Sequence, residues 1–170
     1  MKKAITMAWL GISMAAALAP AQARNDKLMV PISDALKVPR AVDAAAIPVS
    51  AAIQIKSPGV RYKPDDSVKF YFGPQAYPES AQKLGMRQSV GKEPIENNDD
   101  VASCFASFNE ALVKLQKHAR KFGANAIVNI TSANAKNGQQ VSSATDFECH
   151  AGSFSTAVTL RGELARISEQ

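Results

Sequence analysis

The chain has 170 residues, of which 46% are hydrophobic and 21% charged, and its formal net charge is +5. This length is enough for one domain with a hydrophobic core, and beyond the N-terminal region no stretch is apolar enough to span a bilayer. The mildly basic balance does not by itself indicate binding to nucleic acid, and we expect none.

Residues 1–23, MKKAITMAWLGISMAAALAPAQA, have the pattern of a signal peptide. A pair of lysines precedes an apolar run, Ala4 to Ala19, that is shorter than the about 20 residues of a membrane span. A proline and the small-x-small sequence Ala-Gln-Ala then mark a site for signal peptidase. We expect cleavage before Arg24 and a periplasmic or secreted product. No lipid anchor is expected, because position 24 is not a cysteine. A retained N-terminal anchor is the alternative.

Residues 24–66 are rich in alanine and contain five prolines, which disfavour helix in the preceding residue and cannot donate to a sheet. We expect a partly irregular, extended arm with one short helical turn, either disordered or packed along the domain. A single folded domain is then predicted for residues 67–168.

The folded domain begins with SVKFYFG, residues 67–73, whose apolar residues alternate with Lys69 and Tyr71 and predict a strand. Residues 73–100 contain several glycines and prolines. They predict a turn-rich excursion with a short strand around Met86–Val90.

The strongest periodic signal is NNDDVASCFASFNEALVKLQKHARKFG, residues 97–123. Asn98 or Asp99 can cap the start of a helix, and Gly123 stands where glycine commonly ends one. We expect an amphipathic helix of about six turns. Its apolar stripe comprises positions 101, 105, 108, 112, 115, 119 and 122, and its outer face carries Lys114, Lys117, Arg120 and Lys121.

Three more strands are predicted after the helix. ANAIVNITSA (124–133) is followed by an Asn137-Gly138 turn and by SSATDFECH (142–150). FSTAVTLRGELARI (154–167) ends the domain, with one side formed by Phe154, Thr156, Val158, Leu160 and Leu164. This order predicts an α+β fold in which one amphipathic helix packs on a small, mainly antiparallel sheet.

The two cysteines are expected to form a disulfide. Cys104 lies near the start of the helix beside its buried stripe, and Cys149 lies on the inward side of its strand. Cysteines of an exported chain are usually oxidised, and closing the loop 104–149 stabilises the fold by about 4 kcal/mol in the chain-entropy model. A cysteine-containing metal centre is less favoured, because strand alternation points His150 away from Cys149 and His118 lies about 21 Å from Cys104 along the helix.

Two surfaces could bind a charged partner. Asp146, Glu148 and His150 share the outward face of their strand and could hold a metal ion, although a solvated polar face is the plainer interpretation. The basic helix face (Lys114, Lys117, Arg120 and Lys121) could meet anionic lipid head groups or an acidic partner, and again a solvated face is the simpler alternative.

No enzyme motif is recognisable. GMRQSVGKE, residues 85–93, has Glu93 where a phosphate loop needs Ser or Thr to hold magnesium. A G-x-S-x-G nucleophile turn is absent from the sequence. We therefore expect no enzymatic activity and no cofactor, with an unrecognised hydrolase as an alternative.

The segment GANAIVNI (123–130) after a helix, followed by FSTAV (154–158), resembles the YbjQ-like domain family. The likeness extends to the envelope stress-sensor lipoprotein of the Rcs phosphorelay, and the two cysteines resemble one of that sensor's two disulfides. Short exported proteins that often carry the name of an excision-nuclease ATPase are similar over the same helix and the strand FEC. The resemblance covers residues 67–167 and implies the YbjQ-like fold. The chain departs from it at Ser155, where the family has glycine, and in lacking a lipidation cysteine and a second disulfide.

Together these observations predict a periplasmic, non-catalytic domain that binds an envelope protein, lipid or glycan. Gly123, Ala124 and Ala126 are expected to form a structural joint between helix and sheet. A periplasmic metal-binding protein that uses Asp146, Glu148 and His150 is the main alternative.

Overall fold

The structure, a computed structural model, describes residues 24–40, 60–78, 81–133 and 138–168. The predicted signal peptide, much of the predicted arm and Asn137 of the predicted turn lie outside these residues. The described elements are β1 (Asp26–Pro31), α1 (Ile32–Lys37), β2 (Lys69–Phe72), β3 (Gln82–Pro94), α2 (Asp100–Lys121), β4 (Ala126–Ala133), β5 (Gln140–Val141), β6 (Asp146–Ala151) and β7 (Ser155–Arg166).

The strands form one curled, mostly antiparallel sheet built around β7, so the predicted α+β class is confirmed. β3 pairs with β7 along its whole length. Two strands share the opposite edge of β7. β6 pairs with the first part of β7, as far as Ala157, and β4 pairs with the later part of β7, from Thr159 to Ala165. The sheet therefore forks on this side. One branch continues from β6 to β1, and the other continues from β4 to β2 and β5.

α2 confirms the predicted helix. The Asp99 side chain accepts a hydrogen bond from the Ala102 amide at 2.9 Å and caps the N-terminus. Gly123 has φ +68° directly after the helix, a conformation that favours glycine. The middle of the apolar stripe is fully buried against the sheet, but Val101 and Phe122 at its two ends are exposed. No described helix has the length and apolar character needed to cross a membrane.

β3 is the main difference from the expected fold. A turn-rich segment with a short strand was expected, whereas Gln82–Pro94 is a strand of 13 residues. Its buried positions near the helix are Ser89, Gly91 and Glu93, none of which is a large apolar residue. Hydrophobic alternation was therefore the wrong signal for this strand, because the close approach of α2 leaves no room for large side chains.

The N-terminal part of the predicted arm belongs to the sheet. β1 pairs with β6 from Asp26–Ala151 to Pro31–Asp146, and α1 is tied to α2 by the Asn109 side-chain amide, which donates to Ala35 O at 2.8 Å. β2 differs from the antiparallel pattern because it lies parallel to β4, the intervening chain crossing over through β3 and α2.

The predicted apolar side of the last strand is partly wrong. Thr156, Val158, Leu160 and Leu164 are buried, but Phe154 precedes β7 in the turn after β6 and is 86% exposed. The Phe154 carbonyl instead accepts a hydrogen bond from the Ile95 amide at 3.0 Å, which holds this turn beside the end of β3.

Gly91→Ala should test the close contact between β3 and α2. A Cβ at this position would lie 1.8 Å from Ser107 O, a backbone atom that cannot move without displacing the helix. We expect the free energy of unfolding to fall by about 3 kcal/mol, at the upper end of overpacking costs. Urea denaturation measures this change.

Gly152→Ala is the matched control, because its Cβ would lie 3.3 Å from Ser155 O and a shift of a few tenths of an ångström accommodates it. Equal stability losses for the two variants would contradict the proposed role of Gly91.

Candidate functional site

The disulfide between Cys104 and Cys149 is present, as the sequence predicted. It joins α2 to β6 with a Cα–Cα distance of 5.9 Å, and both cysteines are fully buried. Next to it the rings of Phe108 and Phe147 stack with their centroids 4.3 Å apart. The bridge thus lies in the main core between helix and sheet, where it has a structural role and leaves no thiol as a ligand.

Glu148 does not lie on a solvated face, and the simpler interpretation of the sequence is wrong at this residue. Its side chain is 1% exposed, because it lies where the sheet forks between β4 and β6. Its amide donates to Ser132 Oγ on β4 at 2.8 Å, and Lys27 on β1 reaches its carboxylate. Because β1 lies in the segment predicted to be an irregular arm, no local pattern indicated that a strand would cover this residue.

Three side chains form what we call the Glu148 cluster: Lys27, Glu148 and His150. His150 Nε2 lies 2.7 Å from Glu148 Oε1, and Lys27 Nζ lies 2.6 Å from Oε2. Oε2 lies beside the Lys27 ammonium group, but it accepts no hydrogen bond of good geometry from the described residues. Burial alone would raise the pKa of Glu148, but the contacts with Lys27 and His150 outweigh it and hold that pKa below its ordinary value.

The predicted metal-binding set does not converge. Asp146 accepts a hydrogen bond from Thr145 Oγ1 at 2.6 Å, away from the other two, and the Glu148 oxygens are occupied by Lys27 and His150. In the part of the chain that the structure describes, no three His, Cys, Asp or Glu side chains are placed to hold a metal ion. The cluster instead fastens the edge strand β1 to β6.

The predicted basic face divides into two kinds of residue. Lys114 pairs with Glu110 at 2.9 Å and donates to Val90 O at 2.7 Å, while Arg120 pairs with Asp65 at 3.1 Å. Lys117 and Lys121 are exposed and make no ion pair with any of the described residues. Of the four residues of this face, Lys117 and Lys121 are therefore the two whose positive charge has no counter-charge among the described residues.

The predicted joint residues lie where the chain passes from α2 to β4. The Gly123 carbonyl accepts hydrogen bonds from Arg166 Nε at 3.1 Å and Nη2 at 2.9 Å, and a Cβ on Gly123 would lie 2.8 Å from that Nη2. Ala124 and Ala126 are buried, and the Ala124 amide donates to Ala119 O at 2.9 Å.

A groove that the sequence did not indicate lies between α1 and β2. It consists of two adjoining cavities of about 650 and 360 Å³ that share Leu36, Phe70 and Phe72 as walls. No described strand pairs with the outer edge of β2, and the Phe72 amide donates to the Gln75 side chain at 2.7 Å. The aromatic repeat FYF was the sequence pattern that could have indicated an apolar wall here. It did not indicate that α1 would form the opposite wall. We call this region the β2 groove.

Comparison of the chain with protein-family models, with curated proteins and with solved structures finds no match.

Cys104→Ala combined with Cys149→Ala should lower the free energy of unfolding by about 4 kcal/mol. The chain-entropy model gives this value for the loop between residues 104 and 149. Urea denaturation of the variant and of the oxidised wild type measures the difference. Wild-type protein unfolded in the presence of a reductant should lose the same amount, and an unchanged midpoint in both samples would contradict the structural role of the bridge.

Glu148→Gln should change how stability depends on pH. The folded-state pKa of Glu148 lies below its ordinary value of 4.5, so its stabilising effect is present above that pH and is lost as the pH falls through the folded-state pKa. We expect the variant to lose about 2 kcal/mol at neutral pH, because Lys27 remains without its partner. Its stability should then decline less steeply below pH 4.5 than that of the wild type.

The control is Glu163→Gln, which removes a more exposed ion pair with Lys83 at 3.1 Å and should cost less than about 1 kcal/mol. Chemical denaturation across a pH series separates the two. Parallel pH curves for wild type and Glu148→Gln would show that the cluster does not contribute to acid sensitivity.

Proposed function

We propose that the protein is an exported, non-catalytic binding module of the cell envelope, periplasmic or secreted, that takes an apolar group of its partner into the β2 groove. The observation that carries this proposal is the groove itself: an aromatic-walled cleft next to a strand edge with which no described strand pairs. Clefts that are mainly apolar, with a few polar groups at the mouth, are the usual form of ligand sites in proteins.

The disulfide supports the assignment to an oxidising compartment. A buried bridge that joins the helix to the sheet is typical of exported domains, whereas cytosolic thiols are kept reduced. The signal-peptide pattern of residues 1–23 and the resemblance to the YbjQ-like family point in the same direction.

The chemistry of the groove favours binding over catalysis. The pKa of Asp65, a lining residue, is lowered by hydrogen bonds from Ser67 and by the charge of Arg120. Asp65 also accepts from the Gln116 side-chain amide at 2.7 Å, which ties the rim of the groove to α2. A carboxylate engaged in this way holds structure together and is a poor base. Charged residues also line the groove, but Leu36, Phe70 and Phe72 give it apolar surface, which favours a protein or lipid partner over a glycan.

A site-specific photo-crosslinking experiment in cells tests this proposal. With the chain expressed from its own N-terminus, we expect the recovered protein to begin at Arg24 and to show no free thiol in denaturant. A photoreactive residue at Leu36 or Phe70 should then give a discrete crosslinked product. The same residue at Gln88, an exposed position of β3, serves as the control.

Export and binding in the β2 groove would be refuted by different results. An uncleaved N-terminus or free thiols would refute export. Crosslinking that is equally strong from Gln88, or absent from both groove positions, would refute the groove as the binding site.

A further inference from the structure

Phe122 is an exposed aromatic residue at the end of α2, in a position where the apolar stripe would be expected to continue into the core. Its side chain is 43% exposed. The Arg87 guanidinium lies 4.3 Å from the centroid of its ring, a cation–π contact that holds the ring at the surface. Arg166 binds the carbonyl of the next residue, Gly123, so a second guanidinium lies beside the same turn.

The positive charges around Phe122 have no counter-charges among the residues that the structure describes. Arg87 and Arg166 donate hydrogen bonds to carbonyl oxygens, those of Met86 and Gly123 respectively. Lys117 and Lys121 occupy the last turns of the same helix and have no acidic partner among the residues that the structure describes. Glu163, which lies opposite Met86 in the pairing of β3 with β7, is paired with Lys83, and Asp65 is paired with Arg120.

We infer that this end of α2 is a membrane-contact surface that binds anionic phospholipid, with Phe122 inserted among the head groups and Arg87, Lys117, Lys121 and Arg166 facing the phosphates. The inference rests on the proposed function in so far as an envelope location brings the protein to a membrane. None of these five residues lines the β2 groove.

Two features favour lipid over a soluble acidic partner. Each lysine or arginine close to an anionic membrane strengthens binding by about fivefold. Arg87 contacts Phe122, Arg166 contacts Gly123, and Lys121 precedes Phe122 with Lys117 one helical turn before it. An exposed aromatic ring among them matches the interface, where such rings lie at the level of the head groups with apolar chains beneath. A soluble polyanion would use the cations but would gain little from an exposed phenyl ring.

Vesicle co-flotation of the oxidised protein beginning at Arg24 tests the inference. Vesicles of phosphatidylcholine alone are compared with vesicles in which phosphatidylglycerol replaces part of the phosphatidylcholine. We expect binding only to the anionic vesicles, weakened by added salt. Lys117→Gln combined with Lys121→Gln should reduce the affinity by about 30-fold. Phe122→Ser should reduce it while leaving the salt dependence unchanged.

The matched control is Lys37→Gln combined with Lys92→Gln, which removes the same charge from exposed sites away from this surface and should retain wild-type binding. Thermal unfolding verifies that every variant is folded. Equal binding to both kinds of vesicle, no vesicle binding, or an equal loss in the control pair would overturn the inference. Binding to heparin without binding to vesicles would overturn it too, in favour of a soluble polyanion.

The two proposals fail separately. Cleavage before Arg24 and crosslinking from Leu36 or Phe70 do not depend on Lys117, Lys121 or Phe122. Loss of vesicle binding alone would therefore leave the groove proposal standing.

Discussion

The close approach of α2 to β3 is the constraint on which the rest of the structure depends. At Gly91 the helix backbone lies so near the strand that no side chain fits between them. Polar links then hold the two elements at this distance: Ser89 Oγ donates to Ala111 O at 2.8 Å, and the Glu93 amide donates to Ser107 Oγ at 3.1 Å. The outer edge of β3 is also engaged, since the Lys92 amide donates to Glu110 at 2.6 Å. A helix side chain thus takes the place of a neighbouring strand at this edge.

The fork of the sheet follows from the same arrangement. β7 has β3 along one edge, so two shorter strands must share the other edge, and a polar group becomes buried where they separate. Glu148 occupies that point, with Lys27 Nζ beside one carboxylate oxygen and His150 Nε2 beside the other. A buried carboxylate would be costly alone, but with these partners it attaches β1 to the sheet. The charged side chains that looked like a metal site are therefore part of the structural framework.

The sequence was informative where burial follows a regular period. The helix, its caps and the strands that carry Cys149 and GANAIVNI could be placed because apolar residues recur at the helix or strand spacing. The disulfide followed from the same periods, since both cysteines fall on inward faces. Hydrophobic periodicity did not indicate β3, where small and polar residues are buried, or β1, a short strand whose partner lies far away in sequence.

The basic helix face and the β2 groove could likewise be predicted only in part from the sequence. The basic helix face could be identified by spacing, but the division between paired Arg120 and unpaired Lys121 depends on Asp65, which lies on a different segment. The β2 groove needs α1 and β2 to lie side by side, and no local pattern encodes that contact. Sequence periods predict which face of an element is buried, whereas sites made of several elements require the tertiary arrangement.

The pairing of β1 with β6 has a consequence for the order of folding. Asp26 pairs with Ala151, so the first described strand finds its partner near the end of the chain. Contacts between such distant segments close large loops and form late. β1 must stay unpaired until almost the whole polypeptide is available. The segment that follows the predicted cleavage site then remains extended and accessible while the other strands assemble, and its docking is the step that completes the sheet.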